Sequence, residues 1–330
     1  KELTVFAKNS NCDFEIPQFL KRKLSLKKQH EIKNIYHQLI DYPIDNFIDI
    51  GSGAGHLSSI LLHDNQKTST CLDLDTNYQQ IGIKKLKREA PGILERMSFK
   101  QVHVNEDFSL PHIMNSALLG LHACGNLSID LLKTFSKSSC SYLLNYGCCY
   151  HKLTNDHINI SRSANDTPPL ILSNHALTMA AKSYKKLSLK EFDQRKDVKD
   201  RRYSLHLFMQ EKRQQGFETL GNAVKSDYQL NFSQYAKKYH PMAKDYNNAE
   251  LDDFFNAKQV HVQEIQMLGI IRSHLARVVE LYLILDRALF LQEQGFQVDV
   301  CETFDMAISP RNISLFARPN DVAMPLKKNI

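Results

Sequence analysis

The sequence predicts a doubly wound α/β domain carrying a helical insertion, and three observations lead there. Five short apolar strand signals alternate with helical signals through about residue 150. A glycine-rich turn, Gly51-Ser52-Gly53-Ala54-Gly55, carries the first of those strands into the next helix. A long helix and two more strands close the chain. Such alternation specifies a mostly parallel sheet covered by helices on both faces.

The elements follow in order. Residues 17–42 read as a leading helix that stops near Pro43. Phe47–Ile50 is an apolar strand that runs into the glycine turn. Leu57, Ile60 and Leu61 then recur at helical spacing within His56–His63. Thr68–Leu74 is β-rich, Tyr78–Arg88 helical and basic, and Ser98–Val104 a third strand. Ala117–Leu121 and Tyr142–Tyr146 are the fourth and fifth strands, with a helix at Ser128–Ser136 between them. Ser273–Gln294 is a long helix stopped by Gly295, and Phe296–Phe304 and Asn312–Arg318 are the last two strands. The core is therefore expected at 1–150 plus 273–330. Residues 151–272 are too many for a plain loop, so they are expected to form an inserted, mostly helical subdomain.

Composition narrows the function classes. The chain has 330 residues and ordinary apolar and charged fractions. Its best candidate for a membrane span, Val278–Leu291, is interrupted by Glu280, Asp286 and Arg287, so no membrane role is expected. Seven cysteines lack the spacing of a secreted disulfide framework, which suggests an intracellular, reduced chain in cytoplasm or nucleus. The first residue is Lys, so further sequence upstream is expected. Net charge is +6, and the window 182–202 carries nine basic residues against four acidic ones, a local excess of +5. That window is a candidate RNA surface and otherwise an ion-paired solvated face.

The glycine turn carries the sharpest signal. Asp49-Ile50-Gly51-Ser52-Gly53-Ala54-Gly55 has the spacing D-x-G-x-G-x-G. Glycines there allow positive φ and close approach of a ligand to the backbone, and the helix behind offers free N–H groups. A dinucleotide site favours G-x-G-x-x-G instead. The observed spacing suits S-adenosylmethionine (SAM), with Asp49 near the methionine amino group and a later acid on the ribose. Asp73, at the end of the second strand, has the right separation, and Asp75 caps the following helix. The expected cofactor set is Asp49, Gly51, Ser52, Gly53, Gly55, His56, Leu57, Asp73, Leu74, Glu106, Asp107 and His122. With the closing helix and strand pair, this predicts the class I SAM-dependent methyltransferase fold: a Rossmann-like, seven-stranded sheet with its last strand antiparallel.

In such sheets chemistry gathers beyond the carboxyl ends of the strands. Three groups fall there: His122-Ala123-Cys124-Gly125-Asn126, Gly147-Cys148-Cys149-Tyr150-His151, and the turn holding Phe304, Asp305, Ser309, Pro310, Arg311 and Asn312. His122, Cys124, His151 and Arg311 are the candidate catalytic residues. A metal site from His122, Cys124, Cys148 or Cys149, and His151 competes with a polar substrate pocket. Adjacent cysteines seldom both reach one ion, so no metal is expected. Glu280 and Arg287, two helical turns apart, read as a structural ion pair, and Lys27–Glu31 as a solvated face that could also lid the cofactor. The [D/N]-P-P-[Y/F] signature of amino-N-methylation is absent, which argues against adenine N6 as acceptor.

Several segments resemble the methyltransferase-like protein 25 family, including its paralogue named for a ribosomal RNA adenine dimethylase domain. They are Ser25–Glu31, Asp49–Ser58, Gly120–Ser128, Gly147–Leu153, Leu283–Gly295 and Phe304–Asn312. That family usually has Pro where Leu26 stands and Asp where Asn126 stands. The His-x-Cys-Gly and Cys-Cys-x-His elements are also similar to those of tRNA acceptor-stem ribose 2′-O-methyltransferases. The resemblance implies a SAM-dependent methyltransferase fold and makes RNA the leading substrate class. A protein substrate or partner, or a non-catalytic SAM-binding role, is the alternative.

Overall fold

The computed structural model describes residues 14–22, 24–154, 158–166, 168, 170–181, 188–213, 220–221 and 223–320. They divide into two compact units, Lys1–Lys185 with Ala276–Ile330, and Lys186–Leu275.

The first unit holds a seven-stranded sheet. Its strands are β1 (Asn46–Ile50), β2 (Thr68–Asp73), β3 (Met97–Gln101), β4 (Ser116–Leu121), β5 (Tyr142–Tyr146), β6 (Phe296–Glu302) and β7 (Ile313–Pro319), in the order β3-β2-β1-β4-β5-β7-β6. The first five are parallel, and β7 runs antiparallel to both β5 and β6. This is the class I methyltransferase arrangement. The chain reverses its direction of travel across the sheet between β1 and β4, and such a switch point opens a crevice at the carboxyl ends of the strands.

Strand periodicity sorts the core into two layers. In β4, Ala117 and Leu119 join one apolar cluster and Leu118 the other. The first cluster takes Ile32, Ile35 and Leu39 of α2 (Leu26–Leu39), Ile60 and Leu61 of α3 (His56–Leu61), and Leu86 of α4 (Thr76–Glu89). The second takes Leu131, Leu132 and Phe135 of α6 (Asn126–Ser136), Leu177 of α8 (Asn174–Ala180), and Leu283, Ile284 and Leu291 of α13 (Ala276–Glu293). The short helices α1 (Gln18–Lys21), α5 (Pro91–Leu94) and α7 (Arg162–Asn165) complete this unit.

The expected single leading helix is two helices. Arg22 leaves the helical region, and Ser25 starts α2 afresh by accepting from the Lys28 N–H at 3.3 Å. The core also extends past residue 150. Asp286, 2 % exposed, accepts from the Ile160 and Ser161 amides and the Ser161 hydroxyl, while Arg287 donates to the Ile158 carbonyl at 2.6 Å. Glu293 likewise receives the Arg162 and Ser163 amides. Residues 158–163 are therefore stapled to α13, and the second compact unit begins only at Lys186. The buried charges that sequence reading paired as Glu280 with Arg287 pair otherwise: Arg287 with Asp286 at 3.0 Å, and Glu280 with Arg277 at 2.7 Å.

The second unit is helical. It contains α9 (Leu189–Arg213), α10 (Phe232–Tyr239), α11 (Asn248–Ala257) and α12 (Gln259–His274) around a core of Leu205, Phe208, Tyr235, Ala236 and Leu251. Among the described residues no helix is long and apolar enough to cross a membrane.

Candidate functional site

The loop from β1 to α3 is shaped by its glycines. Gly51, Gly53 and Gly55 adopt φ of 72°, 54° and 70°, the left-handed region that side chains disfavour. A Cβ on Gly53 would meet nothing within 4 Å, so the loop backbone faces open space there. A Cβ on Gly82 of α4 would collide with the Ala54 carbonyl oxygen. Gly82 thus lets α4 press against the loop from behind.

Two acids frame this loop. Asp73 ends β2 and accepts from the Gly53 N–H at 2.7 Å and the Asp75 N–H at 2.9 Å. Those bonds fix its carboxylate beside the turn and leave its remaining lone pairs for a ligand's hydroxyls. Asp75 caps α4 by accepting from the Asn77 N–H at 2.8 Å. Asp49 is 2 % exposed, and its side chain accepts from the Ser58 hydroxyl at 3.0 Å. Burial pushes its pKa up to about 7, the Asp73 charge adds to that, and Ser58 and Lys28 oppose it. A cationic group brought next to it would draw that proton off. His56 is driven down to about 4 by burial and by Lys28 and Lys85, so it is neutral at pH 7.

The other expected cofactor residues lie around the same edge. Leu74 is 61 % exposed directly after Asp73. Asp107 is exposed, whereas Glu106 pairs with Lys133 at 3.5 Å. Leu57 is buried in the first apolar cluster, which places its side chain behind the loop.

The loops after β4 and β5 form a second constellation. Cys124 Sγ lies 3.0 Å from Cys148 Sγ, which lies 3.7 Å from Cys149 Sγ. His122 sets its Nδ1 3.4 Å from the Cys148 sulfur and its Nε2 3.2 Å from Glu31 Oε2. The second Glu31 oxygen accepts from the Ser309 hydroxyl at 2.6 Å, and Lys27 approaches it at 3.4 Å. Arg311 points a guanidinium nitrogen at Cys148 and Cys149, at 3.5 and 3.8 Å, and donates to the Ala181 carbonyl. The Cys148 hydrogen bond pulls the Cys124 thiol down to about 5 against its burial. Cys148 is pushed up by that same bond and by burial. Burial would raise Glu31, but hydrogen bonds from His122 and Ser309 outweigh it and hold it below the usual carboxylate range.

Of the four catalytic candidates, the structure gathers His122, Cys124 and Arg311. His151 is exposed, in the single turn Tyr150–Lys152, and stands outside this set of contacts. Asn126 ties the two loops together by accepting from the Thr154 N–H at 3.0 Å. Sequence reading missed Glu31, taking Lys27–Glu31 for a solvated face, yet Glu31 is 1 % exposed. Its signal was the apolar stripe Ile32, Ile35, Leu39, which sets Glu31 on the buried side of α2. Gly82 was also missed, although a lone glycine inside a helical pattern marks a close approach.

Residues 27–156, under half of the chain, match a family described as a methyltransferase domain. Among solved structures, a SAM-dependent methyltransferase from Geobacter sulfurreducens in complex with S-adenosyl-L-homocysteine is 13 % identical. That match covers 40 % of this chain and 55 % of the other, at a TM-score of 0.29. The methyltransferase domain of a bacterial CtHen1 protein is 20 % identical over 36 % of this chain and 64 % of its own, at a TM-score of 0.29. A geranyl diphosphate C-methyltransferase from Streptomyces coelicolor A3(2) is 14 % identical over 37 % and 48 %, again at 0.29. The chain spans less than two thirds of each of these proteins.

Proposed function

We propose that this chain is a SAM-dependent methyltransferase acting on RNA. The observation that carries the cofactor reading is the pairing of Asp73 with the Gly53 amide at 2.7 Å beneath a turn whose three glycines all have positive φ. It fixes an acid and an open stretch of backbone on one side of the switch-point crevice.

SAM supplies a methyl group on a sulfonium, transferred by in-line displacement. The protein's share is alignment and exclusion of water more than strong base catalysis. Asp73 would accept from the ribose hydroxyls. Asp49 would face the methionine ammonium, which would favour its ionised form. Exposed Leu74 would give the adenine an apolar cover, and Asp107, the freer of the two acids after β3, would meet its amino group. The acceptor would enter beside the loops after β4 and β5.

Charge supports an RNA acceptor. The chain has an excess of +6, and the window 182–202 supplies most of it. Lys182, Lys185 and Lys186 lie outside the described residues. Of the others, Lys196 pairs with Asp200, and Arg201 and Arg202 donate to the Leu230 and Gly221 carbonyls. Lys190 and Arg195 are exposed on α9 and are the phosphate-facing candidates. Calorimetric titration of SAM into wild type and Asp73→Ala tests the cofactor. Saturable binding that weakens about 100-fold in the variant is expected, from the loss of two charge-assisted hydrogen bonds. Equal binding by both proteins would sink the assignment. Labelled SAM with cell extract then tests the acceptor: nuclease-sensitive label fits RNA, and label removed only by protease replaces RNA with protein.

A further inference from the structure

Three thiols, an imidazole and a guanidinium meet in one place. We infer that Cys124, Cys148, Cys149 and His122 bind a zinc ion. This assignment is independent of the SAM reading, since metal content and SAM affinity are measured separately and each can fail alone.

Distances fit the ion. Tetrahedral zinc with bonds of about 2.3 Å to sulfur sets its ligand sulfurs about 3.8 Å apart. The three sulfurs here lie within 4.8 Å of one another, with Cys148 and Cys149 at 3.7 Å. The adjacent cysteines do converge. The Cys124–Cys148 pair, at 3.0 Å, has to open by less than 1 Å to admit the metal. His122 Nδ1 lies 3.4 Å from the Cys148 sulfur but outside the set in which every donor is within 4.8 Å of the others, so its ring has to swing toward the other two sulfurs to take the fourth position.

The surroundings fit as well. Zinc-binding histidines are oriented by a carboxylate on the opposite ring nitrogen. Buried Glu31 does this for His122 Nε2 at 3.2 Å and is itself held by Ser309. His122 also sits at φ 64°, a left-handed conformation rare for a residue with a side chain, and such strain gathers at functional sites. Three thiolates, a neutral imidazole and Zn²⁺ sum to a single negative charge, which Arg311 offsets from 3.5 and 3.8 Å. Binding sends the protons that the thiols still carry to solvent, with no change of oxidation state. Four protein ligands make a closed, structural site that locks the loops after β4 and β5. His122 and Cys124 are then ligands, not proton carriers.

The test uses the full chain purified under reducing conditions. Elemental analysis and native mass spectrometry after zinc addition and desalting should show one zinc per chain. Cys124→Ser and Cys149→Ser should each lose most of it. Cobalt substitution of the wild type reads the ligands without any variant, through the intensity of its thiolate-to-metal charge-transfer band, and three thiolates are expected. A folded wild type that retains no stoichiometric metal overturns the assignment. So does metal retained fully in a folded Cys124→Ser/Cys149→Ser double variant, a cobalt spectrum without thiolate bands, or a Cys124–Cys148 disulfide in chain prepared without oxygen.

Discussion

The carboxyl edge of the sheet holds two sites built on opposite plans. Beyond β1 and β2, the site is made of backbone: three left-handed glycines, a helix start, and two acids held by Ser58 and by loop amides. Beyond β4 and β5, it is made of side chains gathered from afar. Glu31, His122, Cys148, Ser309 and Arg311 meet there, with Glu31 and Ser309 278 positions apart in the sequence. The first plan suits a ligand met by loop amides and two fixed acids. The second holds a small ion or reactive atom by donor chemistry, and it depends on α2 and the β6–β7 turn closing over it. The two sites should therefore fail separately.

The largest separation is expected with Asp73→Ala. SAM affinity should fall about 100-fold, while the reactivity of the three clustered thiols toward an alkylating reagent stays that of wild type. A matching change in thiol reactivity would mean that the two sites share one unit of structure.

Gly82→Ala comes next. Its methyl collides with the Ala54 carbonyl, a backbone atom that cannot rotate away, so α4 or the glycine loop must move. A loss of about 3 kcal/mol in denaturant unfolding is expected, together with weaker SAM binding. Undiminished stability would show that the loop is more pliant than its packing implies.

Glu31→Gln probes the other site. It keeps the volume but removes the charge that faces His122, Lys27 and the Ser309 hydroxyl. A loss of about 1–2 kcal/mol in unfolding free energy is expected, with SAM affinity unchanged. Weakened SAM binding in a folded Glu31→Gln chain would mean that α2 serves the cofactor directly.

The same contrast explains what was legible in the sequence. The glycine turn and its two acids were legible because they lie within residues 49–75, where glycine spacing and strand ends are local facts. The sheet could be read because strand and helix periods differ. The second site could be read only in parts. His122, Cys124 and Arg311 are visible as residues after strand ends, but their meeting, and the place of Glu31 within it, depends on how β6 and β7 return against β5. The core's reach beyond residue 150 was hidden for a similar reason. Asp286 and Glu293 hold residues 160–163 through backbone amides, which leave no pattern in the sequence.

The smallest expected effect is the most direct probe of the backbone-built site. Asp49 carries a pKa raised to about 7 by burial, so its carboxyl is protonated in the free protein below neutrality. An acid whose native pKa lies above its unfolded value binds more protons when folded. Its contribution to stability is therefore fullest below the unfolded pKa of about 4 and is lost as pH climbs to about 7. Ligand binding runs the other way. The methionine ammonium prefers the ionised carboxylate, so SAM affinity should rise roughly threefold or more above pH 6 and turn over near pH 8, where the free α-amino group (pKa about 8) loses its own proton. Asp49→Asn should flatten both trends, leaving the affinity near the low-pH value of the wild type at every pH. Calorimetry of the two proteins at matched ionic strength decides the matter: an unchanged pH dependence in Asp49→Asn would move the titrating group elsewhere, while its loss would identify Asp49 as the acid that meets the cofactor's cationic end.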